Sequence, residues 1–446
     1  MLPRLALTLA ASLALCMTPA AAMAAGKDEL PTPLIFVHGG SGSAQQFETN
    51  AMRLSSNGFK KSRIFVYEYS TLGSNNDAAI ADLDGFIADV KEDTDSEQVD
   101  ILAHSRGTTV MHAYLSTPER AESVRRYVNF DGRTAETPPG AVPTLAVWGE
   151  GDQEREIAGA ENVYFPDKAH TEVTTSQEAF KDWYEFLLDR KPKTTKVVPE
   201  KPKKVTVKGR ALIFPNNTGI DGATLRVYAL DSETGQRDSN APVYEKAIDA
   251  TGEFGPIDVN GRRHYEFEVS QEGQTTIHNY PEPFERDNHF YRVLSPPVLA
   301  PFIERSPGHV SVTVTRMREF WGDQSPSTST SANDELEIGG VNVINAAISP
   351  RSRRVLAVFT FDKNSDGVTD LSEPLAPFSG ISFLTAADLF TPASPDANGT
   401  VAVTETMRSP HGQTQTTHVP DWPSDEHSVS VYFKDYDAKA FKKPKK

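Results

Sequence analysis

Two hydrophobic rhythms alternate along the first part of the chain. A continuous apolar run occurs at Pro33–Val37, and largely apolar strand-like runs follow at Arg63–Tyr69, Val99–His104, Arg126–Phe130, Thr144–Trp148 and Asn162–Phe165. Their length and lack of alternation fit strands buried on both faces. Between them the apolar positions spread to a spacing of three and four. Phe47, Met52 and Leu54 precede an Asn57-Gly58 stop, Ile80, Leu83, Ile87 and Val90 mark a longer segment, and Thr108–Leu115 and Ser176–Leu188 follow. That spacing lays one apolar stripe along a helix. The β-α-β-α succession predicts a doubly wound, mostly parallel sheet. Sites on such sheets gather at the carboxyl ends of the strands. His38-Gly39-Gly40, Ser105, Asp131 and Asp152 all fall at such ends.

The rhythm changes after Lys191–Lys204, a Lys-, Pro- and Thr-rich stretch that reads as a linker. Short runs bounded by Gly, Asn, Asp and Pro follow at Ala211–Phe214, Leu225–Leu230, Tyr265–Val269, Val310–Val314, Val355–Phe361 and Val429–Phe433, with no strong helical period. This predicts an all-β sandwich or barrel. The expected organisation is a leader over 1–25, an α/β domain over 26–190, the linker over 191–204 and an all-β domain over 205–446. Gln324–Asn333 is a Ser/Thr run expected as a mobile loop, and Lys439–Lys446 is expected as a solvated basic tail.

The stretch Ala103-His104-Ser105-Arg106-Gly107 ends a strand and opens a helix. This is the strand–turn–helix of a nucleophile elbow, G-x-S-x-G, with Ala in the first small position. Small residues are needed because Cβ atoms collide across so tight a turn. The turn lifts the serine Oγ above the sheet and aims the Arg106 N–H at the place where an oxyanion would form. The plain alternative is a chance serine in a βα loop. A serine hydroxyl needs an imidazole within reach to act as a nucleophile at neutral pH. The α/β segment has four histidines, and among them His170 lies in a loop after the last strand. His38 sits in the glycine loop, His104 is expected to point away across the turn, and His112 lies within a helix. The order serine, acid, histidine is that of α/β hydrolases. Asp131 and Asp152 each follow a strand after the serine strand, and either is placed to orient the imidazole.

The formal net charge of −16 over 446 residues argues against nucleic acid or an anionic membrane surface as the main partner. Arg4, the apolar run Leu5–Met17 and Ala22-Met23-Ala24 have the form of a cleaved secretory leader, too short to span a bilayer as a mature helix. The chain is therefore expected to be secreted or periplasmic, with no transmembrane segment. Its single cysteine, Cys16, falls inside the leader, so the mature protein is expected to be held by packing and not by disulfides.

Asp362, Asn364, Asp366, Val368, Asp370 and Glu373 occupy the ligand positions of a twelve-residue calcium loop, with Gly367 at the sharp turn. A strand and not a helix precedes it, which excludes an EF-hand pair. A structural Ca²⁺ is the expectation, with an acidic turn holding water as the alternative.

Several segments resemble a known family when taken in order. They are His38-Gly39-Gly40 through Phe47, Asn57-Gly58, Tyr67-Glu68-Tyr69, His104-Ser105 with Gly107, Pro118–Ala121, Asp131-Gly132 and Pro143–Val147. Gly340–Val343, Asp366–Leu371 and Val419–Pro423 continue the series. The chain resembles the two-domain archaeal-type lipases, an α/β-hydrolase domain followed by a C-terminal β-barrel domain. The resemblance implies a carboxylic-ester hydrolase acting on an ester or lipid without a catalytic cofactor. It implies Ser105, Asp131 and His170 as the triad and the N–H groups of Gly40 and Arg106 as the oxyanion hole. It implies a β-domain that walls the cleft or binds the long part of the substrate. There are departures. The family's long helical lid is replaced here by Ser70–Asn76 alone, which predicts an open cleft without interfacial activation. Arg106 stands where an apolar residue is usual, so its guanidinium either favours a polar or anionic substrate group or turns to solvent. The missing lid also suits an esterase for short acyl chains or a polyester. A non-catalytic surface-binding protein with a degenerate hydrolase domain is the rival of another class. A dehalogenase would need aspartate at the elbow.

Overall fold

The largely apolar runs become one sheet. In the computed structural model, β1 (Leu34–Val37), β2 (Ile64–Tyr67), β3 (Val99–His104), β4 (Val124–Phe130), β5 (Thr144–Trp148) and β6 (Glu161–Tyr164) lie in the order β2-β1-β3-β4-β5-β6. Every adjacent pair is parallel. Because successive side chains of a strand point to opposite faces, β1 feeds two cores. Leu34 and Phe36 join one with Leu102, Phe180 and Trp183, while Ile35 and Val37 join the other with Ile101, Leu83, Ile87 and Met111. The helices that close these cores are α1 (Glu48–Ser56), α2 (Asp77–Thr94), α3 (Arg106–Tyr114), α4 (Pro118–Glu122), α5 (Glu172–Thr175) and α6 (Gln177–Leu188). This is the α/β-hydrolase architecture. The strand order reverses between β1 and β3, which sets the loops after these two strands side by side.

The structure describes residues 31–151, 153–296, 299–322, 333–408 and 413–436. The expected leader with Cys16, Asp152, nearly all of the Ser/Thr run and the basic tail lie outside the described residues. Among the described residues no helix is long and apolar enough to cross a membrane.

The second half is built of β-sheet, with short 3-10 turns and no described α-helix. An eight-stranded sheet runs in the order Tyr244–Ala247, Thr224–Leu230, His264–Ser270, Thr276–Pro281, His427–Phe433, Val312–Phe320, Val355–Phe361, Leu384–Asp388. Most of its pairings are antiparallel. His427–Phe433, however, is parallel to both of its neighbours, and the outer pair Val355–Phe361 and Leu384–Asp388 is parallel as well. A smaller sheet covers each end. One holds Val205–Ile213, Glu253–Val259 and Asn288–Leu294, and packs Val207, Ile257 and Tyr291 on Val227 and Phe267. The other holds Glu335–Ile338, Thr400–Thr406 and Thr414–Pro420, and packs Leu336, Val401 and Val419 on Val312, Val358 and Val431.

The stretch read as a linker is tied down. Asn57 on the far side of α1 donates through Nδ2 to the Thr194 carbonyl at 2.8 Å and accepts the Thr194 N–H at 3.1 Å, and Val197 is buried. Thr32–Lys446 accordingly forms one compact unit. Glu68, just after β2, makes a buried ionic link between the two halves. Arg292 donates to both of its oxygens (2.8 and 2.9 Å), Arg210 donates to Oε2 at 2.8 Å, and the Ala44 N–H donates to Oε1 at 3.0 Å. Burial pushes this carboxyl upward, but the charge and hydrogen bonds of Arg292, with Arg210 and Ala44, win and hold it at about 2.

A pH dependence follows. A folded-state value below the ordinary 4.5 gives stability that is fully present above that pH and lost as pH falls toward 2. We expect the urea midpoint followed by tryptophan fluorescence to fall over that window. Glu68→Gln should flatten part of the slope while lowering the midpoint at pH 7. An unchanged slope in the variant would remove Glu68 from the account.

Candidate active site

The elbow is strained at Ser105. Ser105, between β3 and α3, has φ 50° and ψ −120°, a region that L-residues rarely enter. Gly107 makes the turn feasible, since a Cβ there would stand 2.6 Å from the His38 carbonyl oxygen and 2.7 Å from that of Val37. The elbow thus packs directly on the end of β1. Asp131, which follows β4, is a second non-glycine residue at positive φ, 41°. At Gly132 a Cβ would run into Thr108 at 2.1 Å from its Oγ1.

Asp131 and His170 meet. The imidazole Nδ1 stands 2.5 Å from Asp131 Oδ2, while Oδ1 accepts the Gly149 N–H at 2.8 Å and Arg155 Nη2 at 2.6 Å. Burial works against ionising Asp131, but the His170 contact, the Gly149 N–H and Arg155 outweigh it and bring the carboxyl down to about 2. An ionised carboxylate only accepts, so the Nδ1 proton lies on the ring and Nε2 is left as the basic nitrogen. Asp152, the other candidate acid, lies outside the described residues.

Among the described residues no hydrogen bond joins the Ser105 hydroxyl to the ring. What brings the two segments together is the neighbouring His104, which does not point away from the site as the sequence suggested. Its ring is buried 4.5 Å, centroid to centroid, from that of His170. Its Nε2 donates to the His170 carbonyl at 3.0 Å, and its Nδ1 accepts from Gln46 Nε2 at 2.5 Å. Gln46 Oε1 in turn accepts the Gly39 N–H at 3.2 Å. Burial lowers His104 to about 3, so this relay is neutral. It fixes the base loop against the glycine loop.

Two N–H groups of the glycine loop are spent on side chains. Gly39 N–H is spent on Gln46, and Ser41 N–H donates to Thr71 Oγ1 at 3.1 Å. Among the described residues the N–H of Gly40 has no protein acceptor, nor has that of Arg106 at the first turn of α3, where helix geometry supplies none. The two residues adjoin, since a Cβ on Gly40 would lie 3.8 Å from Arg106 Cδ. The Arg106 side chain neither reaches into the site nor turns to solvent. It donates to the carbonyls of Thr71 (2.8 Å), Gly73 (2.6 Å) and Asn75 (3.2 Å) and to Asn76 Oδ1 (2.8 Å from Nη2). The guanidinium is consumed in fastening down the short loop that stands where a lid would be.

The β half reaches the site at three places that sequence reasoning missed. Asn217 Nδ2 donates to the carbonyls of Gly42 (2.9 Å) and Tyr69 (3.1 Å), bracing the glycine loop from outside. The Glu319 carboxylate takes the N–H groups of Thr171 and Glu172 at 2.5 and 3.0 Å, directly after His170. The ring of Phe383, at φ 71°, lies 5.7 Å from that of His170 in a stacked arrangement. Arg354 also pairs with Glu150 at 2.5 Å. No local pattern marks these residues, since each partner lies more than a hundred positions away along the chain.

Two groups of acidic and histidine side chains among the described residues bring their ligand atoms within 4.8 Å of one another. The first, Asp131, Glu150 and His170, belongs to the site just described. The second, Glu266, Glu268 and His278, is already neutralised by Arg237, which donates to both glutamates at 2.6 to 2.8 Å. Neither draws on the loop from Asp362 to Glu373. There, Asp362 Oδ2 accepts the Gly367 N–H at 3.0 Å and its buried Oδ1 has no partner. Asp366 and Asp370 accept the N–H groups of Val368 and Ser372, both at 2.9 Å, Asn364 N–H goes to Glu304, and Glu373 is exposed. The first turn of the loop is thus wound around Asp362.

Comparison with known proteins now places the chain. A family model for lipase (class 2) matches residues 31–123, one for the lipase C-terminal domain matches 203–297, and a further "-like, C-terminal domain" model matches 299–437. Lipase-family models thus match two separate segments of the chain. The class 2 lipase match takes in the glycine loop and Ser105 and stops short of Asp131 and His170. No curated sequence is significantly similar to the chain. Among solved structures it is similar to lipase B of Aspergillus fumigatus, with 12% identity over 37% of this chain and 54% of that one and a TM-score of 0.30. It is also similar to a lidless α/β serine hydrolase of Xanthomonas campestris (12%, 37% and 83%, 0.25) and to phospholipase PlaB of Legionella pneumophila (9%, 55% and 85%, 0.28). At these scores the likenesses carry no argument about what this chain acts on. The lipase-family match supports an ester hydrolase.

Proposed function

We propose that the protein is an exported serine carboxylesterase of the lipase type, working through an acyl-enzyme. Ser105 Oγ attacks the ester carbonyl and His170 Nε2 takes its proton. Asp131 holds the ring in the required tautomer and offsets the charge of the imidazolium. The N–H groups of Gly40 and Arg106 receive the oxyanion. The imidazolium then protonates the departing alcohol. A water molecule, deprotonated by the same nitrogen, attacks the acyl carbonyl and releases the acid and the free serine. The reading requires the Ser105 side chain to turn onto Nε2 when substrate binds, as catalytic hydrogen bonds commonly do. The 2.5 Å bond between His170 and Asp131, at the mouth of a strained serine turn, carries the proposal.

The fastened loop at Ser70–Asn76 favours one refinement. With Arg106 holding three of its carbonyls, no lid is left to open. Hydrolysis of dissolved esters should therefore rise smoothly with concentration, without a jump when the substrate forms micelles.

The test combines a fluorophosphonate probe with p-nitrophenyl esters of rising chain length. Labelling should fall on Ser105, and rates on butyrate and longer esters should cross the micelle point without a break. A folded protein that takes no label would favour the non-catalytic surface-binding reading. A sharp rate jump at the interface would restore the lid-opening lipase.

A further inference from the structure

Glu319 lies in the strand Val312–Phe320 of the eight-stranded sheet, outside the α/β segment, and its side chain is fully buried. Its two carboxylate oxygens each take one N–H, from Thr171 at 2.5 Å and from Glu172 at 3.0 Å. These are the two residues immediately after His170. One carboxylate holding two consecutive N–H groups fixes both the position and the direction of the chain there.

The holder is itself held. The Glu319 carbonyl accepts Arg316 Nη2 at 2.8 Å and Arg408 Nη1. Arg408 pairs with Glu172 at 2.7 Å and with Asp334, and Arg318 lies 3.0 Å from the other oxygen of Glu172. The base loop is thus clasped from the β side by Glu319 and from the α/β side by His104, which donates to the His170 carbonyl. The side chain of His170 hangs between these two fixed points.

We propose that Glu319 is a positioning residue for the base. By fixing the backbone at Thr171 and Glu172 it sets the distance and angle of His170 Nε2 to Ser105. The β half is on this view part of the ester-cleaving machinery, and not an accessory that binds substrate. The proposal rests on the reading of Ser105 and His170 given above. General-base catalysis is steep in geometry, and a misplacement of about 1 Å costs up to roughly 100-fold in rate.

Glu319→Gln tests it. The amide keeps one acceptor, but its NH₂ faces an N–H, so one of the two holds is lost. Glu319→Asp keeps the charge and draws it back by one methylene. Thr49→Ala is the control, because it removes another buried contact between the same halves, Thr49 Oγ1 to Asp435 Oδ1 at 2.6 Å, away from the base. The readouts are kcat and KM on p-nitrophenyl butyrate, the rate of phosphonylation of Ser105, and Tm.

We expect Glu319→Gln to lose about 10- to 100-fold in both kcat and phosphonylation, with KM nearly unchanged. Glu319→Asp should recover part of that loss. Thr49→Ala should lower Tm while leaving both rates near wild type. Equal rate losses in Thr49→Ala and Glu319→Gln at matched Tm would overturn the proposal, as would a Glu319→Asp variant no better than Glu319→Gln. Should Glu319→Gln not fold, the aspartate variant against Thr49→Ala decides alone. A wild-type protein that is never phosphonylated defeats the reading of the site; a reactive wild type with equally reactive Glu319 variants defeats only the positioning.

Discussion

Ser105→Ala should abolish ester hydrolysis, lowering kcat by roughly 10⁵- to 10⁶-fold, with the fold intact. The size follows from the mechanism: without Oγ there is no acyl-enzyme, and the oxyanion N–H groups and the imidazole have no nucleophile to serve. Residual turnover would come from water attacking a substrate held at Gly40 and Arg106. A second substitution separates function from strain. Ser105 sits at φ 50° and ψ −120°, a backbone state that costs an L-residue on the order of 1–3 kcal/mol and glycine far less. Ser105→Gly should therefore be as inactive as the alanine variant yet more stable than the wild type by about 1 kcal/mol in urea titration. A glycine variant less stable than wild type would mean that the elbow is not strained.

Asp131→Asn should cost about 10³- to 10⁴-fold in kcat, with KM little changed. The two are isosteric, so the loss is electronic and directional. An asparagine amide turned with its oxygen to His170 sets its NH₂ against the Gly149 N–H and Arg155, which donate to Oδ1 at 2.8 and 2.6 Å. Turned the other way, it donates to Nδ1 and forces the proton onto Nε2, where the base must be empty. Asp131→Ala should be comparably inactive but less stable, since it leaves the Gly149 N–H buried without an acceptor. Rates within tenfold of wild type in the asparagine variant would point to another acid, Asp152 being the candidate to test next.

The α/β half was legible because its strands are largely apolar runs and its helices carry one stripe each. Serine, histidine and the loop glycines then follow from position at the strand ends. The β half was harder for a physical reason. Thr276–Pro281 reads Thr-Ile-His-Asn-Tyr-Pro, and its His278 and Asn279 are buried. Those side chains are satisfied by Glu266 and Tyr291, residues of other strands. Glu405, in Thr400–Thr406, is buried against Arg316 in the same way. Polar residues buried against distant partners leave no two-residue alternation to read. His104 shows the same limit within the α/β half. The turn itself was legible, but the turn alone gave no sign that Gln46 and the His170 carbonyl would draw its ring inward. Asn217, Glu319 and Phe383 act on the site only through the tertiary fold.

His427–Phe433 closes the described sequence of strands yet occupies the middle of the large sheet, zipped on both edges to Thr276–Pro281 and Val312–Phe320. The whole α/β segment precedes this wedge along the chain. Until it slots in, the two wings of the sheet have nothing to join them, and the wing that bears Glu319 is unanchored. On the proposed reading, competence to cut esters would then wait on that wedge.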